Sequence, residues 1–163
     1  DLTRGELGQE LPRQKAREVA ASADPDDLVI AADTVVAIDG QILGKPRDPA
    51  DARRMLTLLS GRTNTVCTGV TVCRAGRFET GHEVTAVRFR PLSQEEISAY
   101  VSSGEPMDKA GAYGIQGLGA LLVEGIEGDY GNVVGLPLCR LGEMLSHFGV
   151  DLLSQNAQKE RAL

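Results

Sequence analysis

The chain contains no tryptophan, and aromatic residues make up only 4% of its 163 positions. A core without large rings must be aliphatic, and the 42% hydrophobic content supplies one. Cysteine is scarce too. Cys67, Cys73 and Cys139 form no C-x-x-C pair, and His82 and His147 stand apart. That excludes a disulfide framework and a zinc site of the usual Cys/His kind, and it fits a protein of the reducing cytoplasm. No apolar run approaches the roughly 18 residues of a membrane-spanning helix. The opening D-L-T-R-G-E-L-G-Q-E has no apolar signal-peptide region. Basic charge is also in deficit: 17 Lys+Arg against 23 Asp+Glu leave a net charge of −6. This balance argues against a protein that coats nucleic acid or an anionic membrane, so neither is expected as a partner. It leaves room for one local phosphate-binding patch.

Glycine is in surplus, 19 residues in all, against an average of about 7% of a chain. Such residues gather at turns and where backbone closely approaches a ligand. Residues 10–22 read as a helix, broken by D-P-D-D at 24–27. Residues 28–38, L-V-I-A-A-D-T-V-V-A-I, read as a buried strand, with a hairpin signal at Asp39-Gly40 and a short return strand at 41–43. Asp48 caps a helix over 49–59 that opens on Pro49. Two strands follow at 64–74 and 78–90 around A-G-R. The box S-Q-E-E starts a helix from Ser93 to about Ser103. A strand is expected at 120–126 and an amphipathic helix at 136–148. The fold expected is α/β, a mixed twisted sheet flanked by helices with a central cleft, in one domain over 1–153 with a tail at 154–163.

Asp33 interrupts the apolar strand, where an unpaired carboxylate is costly to bury. A polar break at the end of an inner strand marks chemistry or, equally, a carboxylate that caps a loop or pairs with a cation. G-Q-I-L-G-K-P at 40–46 fails as a P-loop: it is one residue short between glycines, and Pro46 stands where Ser or Thr would hold Mg²⁺. Lys45 on that turn is a phosphate ligand or a solvated lysine. G-I-Q-G-L-G-A at 114–120 is not a dinucleotide fingerprint. Its Gln116 amide offers a donor and an acceptor to a base edge, or is an ordinary turn residue. In E-P-M-D-K-A-G-A-Y, Glu105 and Asp108 are candidate oxygen ligands for a hard cation or parts of a solvated loop. Arg62 is a phosphate clamp or a cation at a helix end. Asp129 and Tyr130 read as loop residues.

Six segments in order resemble the Maf family of nucleoside triphosphate pyrophosphatases: A-A-D-T-V-V (31–36), G-K-P-R-D-P (44–49), L-L-S-G-R-T (58–63), T-G-V (68–70), E-P-M-D-K-A-G-A-Y-G-I-Q-G (105–117) and G-D-Y-G-N-V-V-G-L-P (128–137). The resemblance spans roughly residues 11–152 and implies cleavage between the α and β phosphates. The products are the monophosphate and pyrophosphate, and the activity needs a divalent cation, Mg²⁺ or Mn²⁺. It makes Asp33 the proton acceptor and metal-associated carboxylate, and Lys15 and Lys45 the triphosphate ligands. Arg62 is a further candidate substrate contact, and Thr34 and Gln116 sit at positions linked to substrate choice. The I-Q-G wording is similar to the subgroup acting on dTTP and UTP, and the implied role is the clearing of noncanonical or surplus nucleotides. The fold implied is similar to that of inosine triphosphatases, commonly homodimeric.

Two departures accompany the resemblance. The family's opening strand and S-x-S-P-R-R motif have no counterpart here, and the expectation is that they precede Asp1 in the full protein. Asn64 stands where the family usually has His. Two rival readings remain: the same reaction on 7-methyl-GTP or another nucleotide, opposed by the I-Q-G loop, and a nucleotide-binding regulator of cell division that does not hydrolyse, opposed by Asp33.

Overall fold

The computed structural model describes residues 4–155, with side chains from Glu10 onward. The start of the chain and most of the tail read at 154–163 lie outside the described residues. Helix α1 (Arg4–Ser22) begins earlier than its sequence signal and runs through Pro12. Pro12 has no N–H to donate, which removes one helical hydrogen bond, but its ring is buried. Pro12, Ala16 and Ala20 recur every fourth residue, forming a small-residue stripe that seats α1 against the sheet.

The sheet contains β1 (Val29–Ile38), β2 (Gln41–Leu43), β3 (Thr63–Arg74), β4 (Arg77–Phe89) and β5 (Val123–Glu127), in the order β2-β1-β3-β4-β5. The α/β class is as read from the sequence, but among the described residues the strand directions are uniform: all four pairings are antiparallel rather than mixed. Two tight hairpins account for half of this. Asp39-Gly40 joins β1 to β2 and Ala75-Gly76 joins β3 to β4, each pair at positive φ as a type I′ turn requires. β5 starts later than expected. Residues Gly117–Leu121 form a 3-10 turn instead, because the N–H groups of Leu118 and Gly119 bond the Glu105 carboxylate, not a neighbouring strand.

Strand alternation sorts the helices. On the odd-numbered face of β1, Val29 and Cys73 meet Ala16 of α1. On the even-numbered face, Val36, Val66 and Val87 pack against α2 (Pro49–Leu59) and α3 (Gln94–Ser102). Farther along that face, Val70 and Val72 pack against α5 (Leu138–Ser146), which is shorter than its sequence signal. Local signals placed α2 and α3 correctly. Asp48 accepts from the Asp51 N–H at 2.7 Å with Pro49 in the first turn, and Ser93 and Glu96 form the reciprocal capping box. A short helix, α4 (Tyr130–Val134), occupies what the sequence presented as loop, and Asp129 is its cap.

Candidate active site

Pairing of β1 with β2 stops at Val36, so residues 33–34 lie on a stretch of β1 that has only β3 beside it among the described residues. Successive side chains there point to opposite faces. Asp33 stands on the α1 face and Thr34 on the face shared with Val36, Val66 and α4. A cavity of about 290 Å³ opens at this edge and takes in both. Its polar lining is Asp33, Thr34, Lys45, Asp108, Lys109 and Gln116, and its apolar walls include Ile115, Val133 and Val134. Apolar walls with a few convergent polar groups are the usual form of a small-molecule site.

Lys15 sits one residue before buried Ala16, at the flank of the helix–sheet contact, and its Nζ donates to Asp33 Oδ1 at 3.0 Å. Asp33 Oδ2 has no hydrogen bond among the described residues. Lys45 reaches the cavity because the Gly111 N–H donates to the Gly44 carbonyl at 3.1 Å, stitching the 44–46 turn to the 105–112 loop. That stitch needs glycine at 111. Its φ is +74°, and a Cβ there would lie 2.9 Å from Val36 Cγ1. The same approach brings Lys109 and Asp108 in, joined at 2.9 Å. The hydrogen bond from Lys109, its charge and the nearby charge of Lys45 hold the Asp108 carboxyl below its usual range. Lys109's stem passes over Gly114, where a Cβ would stand 2.6 Å from its Cε. With Lys15, three lysines face two carboxylates in a chain that is acidic as a whole.

Gln116 lines the cavity through a loop that Glu105 anchors. Glu105 accepts from the Tyr100 hydroxyl at 2.9 Å and from the Leu118 and Gly119 N–H groups at 3.0 Å. Burial works to raise this carboxyl, but the Gly119 N–H, the Tyr100 hydroxyl, the Leu118 N–H and the Lys109 charge outweigh it, so the net shift is downward. Burial and the adjoining Glu105 push the Tyr100 phenol up. Glu105 is therefore a loop anchor, and the cation-ligand reading of Glu105 is not what the geometry supports. Asn64, the departure from the family pattern, is fully buried and has a structural task. Its Oδ1 accepts from the Tyr113 hydroxyl at 2.8 Å and its Nδ2 donates to the Val87 carbonyl, fixing a ring of the cavity wall.

Five of the six site residues expected from the sequence thus converge: Asp33, Lys15, Thr34, Lys45 and Gln116. Arg62 is placed elsewhere. It does not line the cavity; it pairs with Asp39 at 2.5 Å and bonds the Leu58 carbonyl near the end of α2, matching the helix-end alternative. Asp39 lies 23 positions away, so its call on Arg62 depends on where the hairpin falls. Lys109, Tyr113, Ile115 and the Val133-Val134 pair were missed as pocket residues. All of them lie inside the segments 105–117 and 128–137 that carry the family resemblance, which was the signal present in the sequence.

Among the described residues no group of three or more His, Cys, Asp or Glu side chains stands together as a metal cage. The donor set does fit a hard cation of another kind. Mg²⁺ is usually held by one or two carboxylates and completed by substrate phosphate oxygens, and Asp33 lines the cavity with an Oδ2 that has no hydrogen bond among the described residues. No helix among the described residues is long and apolar enough to cross a membrane.

The chain is similar to known proteins. A family model described as Maf-like protein matches residues 2–148. A protein of Moorella thermoacetica named dTTP/UTP pyrophosphatase is 61% identical over 140 residues, covering 85% of this chain and 72% of that protein. Proteins of the same name from Symbiobacterium thermophilum and Bacillus pumilus are 52% and 51% identical, covering 93% and 92% of this chain and 78% and 79% of theirs.

Proposed function

The chain belongs to the Maf-like protein family, and on that premise we propose that the cavity at Asp33 is its catalytic site. The protein is a nucleoside triphosphate pyrophosphatase that hydrolyses dTTP and UTP to the monophosphate and pyrophosphate. In the proposed reaction Asp33 accepts a proton from water. The water oxygen bonds the α-phosphorus, the bond to the α–β bridging oxygen breaks, and pyrophosphate departs with that oxygen. Lys15 orients the Asp33 carboxylate through Oδ1. Lys45, joined by Lys109, takes the negative charge of the triphosphate, and the acidic exterior leaves this cleft as the place where a polyanion is met. Asp33 is the residue that would hold Mg²⁺ or Mn²⁺, which supplies charge neutralisation on the phosphate oxygens when bound. Thr34 and Gln116 face the base, and Ile115, Val133 and Val134 supply its apolar bed.

The observation that carries this reading is the joining of Lys15 and Asp33 at the mouth of the cavity that also holds Lys45, Thr34 and Gln116. Clearance of surplus or noncanonical pyrimidine nucleotides in the cytoplasm, by a homodimer, completes the proposal. Asp33→Asn tests it: pyrophosphate release from dTTP and UTP falls by at least about 10²-fold, while circular dichroism and thermal unfolding stay those of the parent. Unchanged turnover in a folded Asp33→Asn protein sinks the assignment. A panel including 7-methyl-GTP and CTP in the same assay separates this substrate class from its rivals.

A further inference from the structure

Thr34 lies directly opposite Thr68 in the β1–β3 register, and their Oγ1 atoms are 2.8 Å apart. Thr68 is fully buried. Its Oγ1 also lies 3.1 Å from the backbone carbonyl of Asn132 in α4. A carbonyl only accepts, and a threonine hydroxyl has one hydrogen. When Thr68 gives its hydrogen to the Asn132 carbonyl, which also accepts from the Gly135 N–H, Thr34 is the donor in the Thr34–Thr68 bond. Asn132 is held hard enough to enforce this. It is fully buried, and its Nδ2 donates to the Val66 carbonyl at 3.1 Å and to Thr85 Oγ1 at 2.8 Å. Its N–H donates to Asp129 Oδ2.

The consequence falls on the cavity. With its hydrogen committed inward, Thr34 presents only lone pairs to a ligand. An acceptor-only group needs a donor on the base. Thymine and uracil, once joined to the sugar through N1, each carry one ring donor, the N3–H. Cytosine presents a lone pair at N3 instead, and two lone pairs facing each other repel.

We propose that Thr68, acting through its bond to the Asn132 carbonyl, fixes Thr34 as an obligate acceptor that reads the N3–H of an imide base, making Thr68 a buried positioning residue for substrate choice. This rests on the reading of the cavity as the nucleotide site. Leaving a site's polar group facing the wrong partner is how small hydrogen-bond differences become selectivity.

The experiment measures kcat/KM for UTP, CTP and N3-methyl-UTP in the parent protein, Thr68→Val and Thr68→Ser. The parent prefers UTP over both other nucleotides. Thr68→Val removes the inward acceptor, frees the Thr34 hydroxyl to turn and donate, and lowers the UTP-to-CTP ratio by about 10-fold. Thr68→Ser keeps the relay and the parental ratio, a rescue that filling of the core alone does not predict. If Thr68→Val does not unfold cooperatively, Thr34→Val decides: losing the acceptor lowers kcat/KM for UTP and relieves the lone-pair clash with cytosine, so the UTP-to-CTP ratio falls. A ratio in folded Thr68→Val equal to the parent's, or a Thr34→Val protein that loses UTP and CTP equally, overturns the relay while the enzyme assignment stands. A parent inactive on both dTTP and UTP overturns the nucleotide site itself, and the relay with it.

Discussion

Lys15 Nζ stands 3.0 Å from Asp33 Oδ1, tying α1 to the one carboxylate on the apolar strand β1. Both side chains keep solvent contact, 52% and 27% exposed, and such a pair adds little stability, about 0–1 kcal/mol. Its value lies in where it holds the carboxylate.

Lys15→Met is therefore expected to leave the thermal midpoint nearly unchanged. Its kcat/KM on dTTP falls by about 10²-fold, the scale of a misplaced catalytic group. The double variant Lys15→Met/Asp33→Asn loses no more than Asp33→Asn alone, because residues acting as a unit are not additive. Steady-state kinetics on the four proteins of this cycle give the answer, and full additivity refutes the positioning role.

Glu105 joins α3 to the Gln116 loop through three hydrogen bonds accepted by one carboxylate. Replacing it by Ala leaves the Leu118 and Gly119 N–H groups without their acceptor and costs about 2 kcal/mol. Beyond that loss of stability, KM for dTTP rises more than kcat falls, since in the proposed site Gln116 faces the base and Asp33 is untouched. Denaturant unfolding and steady-state kinetics measure the two effects separately.

Acid lability follows from the capping box of α3. The Glu96 carboxyl is lowered from 4.5 to about 2 by the Arg90 hydrogen bond first and the Ser93 N–H second. Folded, it binds fewer protons than it does unfolded, so its contribution is complete above pH 4.5 and is lost as the pH falls toward 2. Thermal midpoints recorded across that window fall more steeply for the parent than for Glu96→Gln. Parallel curves contradict the assignment.

What could be read from the sequence shares one physical property. The Asp48 and Ser93 caps and the Asp39-Gly40 and Ala75-Gly76 turns each depend on groups a few residues apart along the chain, so local composition encodes them. Asp33 stood out for a related reason, as a charge in a run of β-branched neighbours. The roles of Arg62 and Glu105 were not legible in this way. Arg62 answers to Asp39 across the hairpin, and Glu105 answers to N–H groups 13 and 14 positions downstream that could equally have joined a strand. Asn64 read only as a departure from a pattern until Tyr113, 49 positions away, was found bonded to it.

By itself the sequence determined most of the helices and strands, the aliphatic core, the acidic balance and the suspicious carboxylate, because these follow from the neighbours each residue has along the chain. Only the tertiary structure decided which charges share a cavity and which way a hydroxyl must point. Strand register sets Thr34 against Thr68, α4 sets the Asn132 carbonyl behind it, and the Gly111–Gly44 stitch brings Lys45 to Lys109. Those are relations between distant segments, and hydrogen-bond direction is fixed only when every partner is in place.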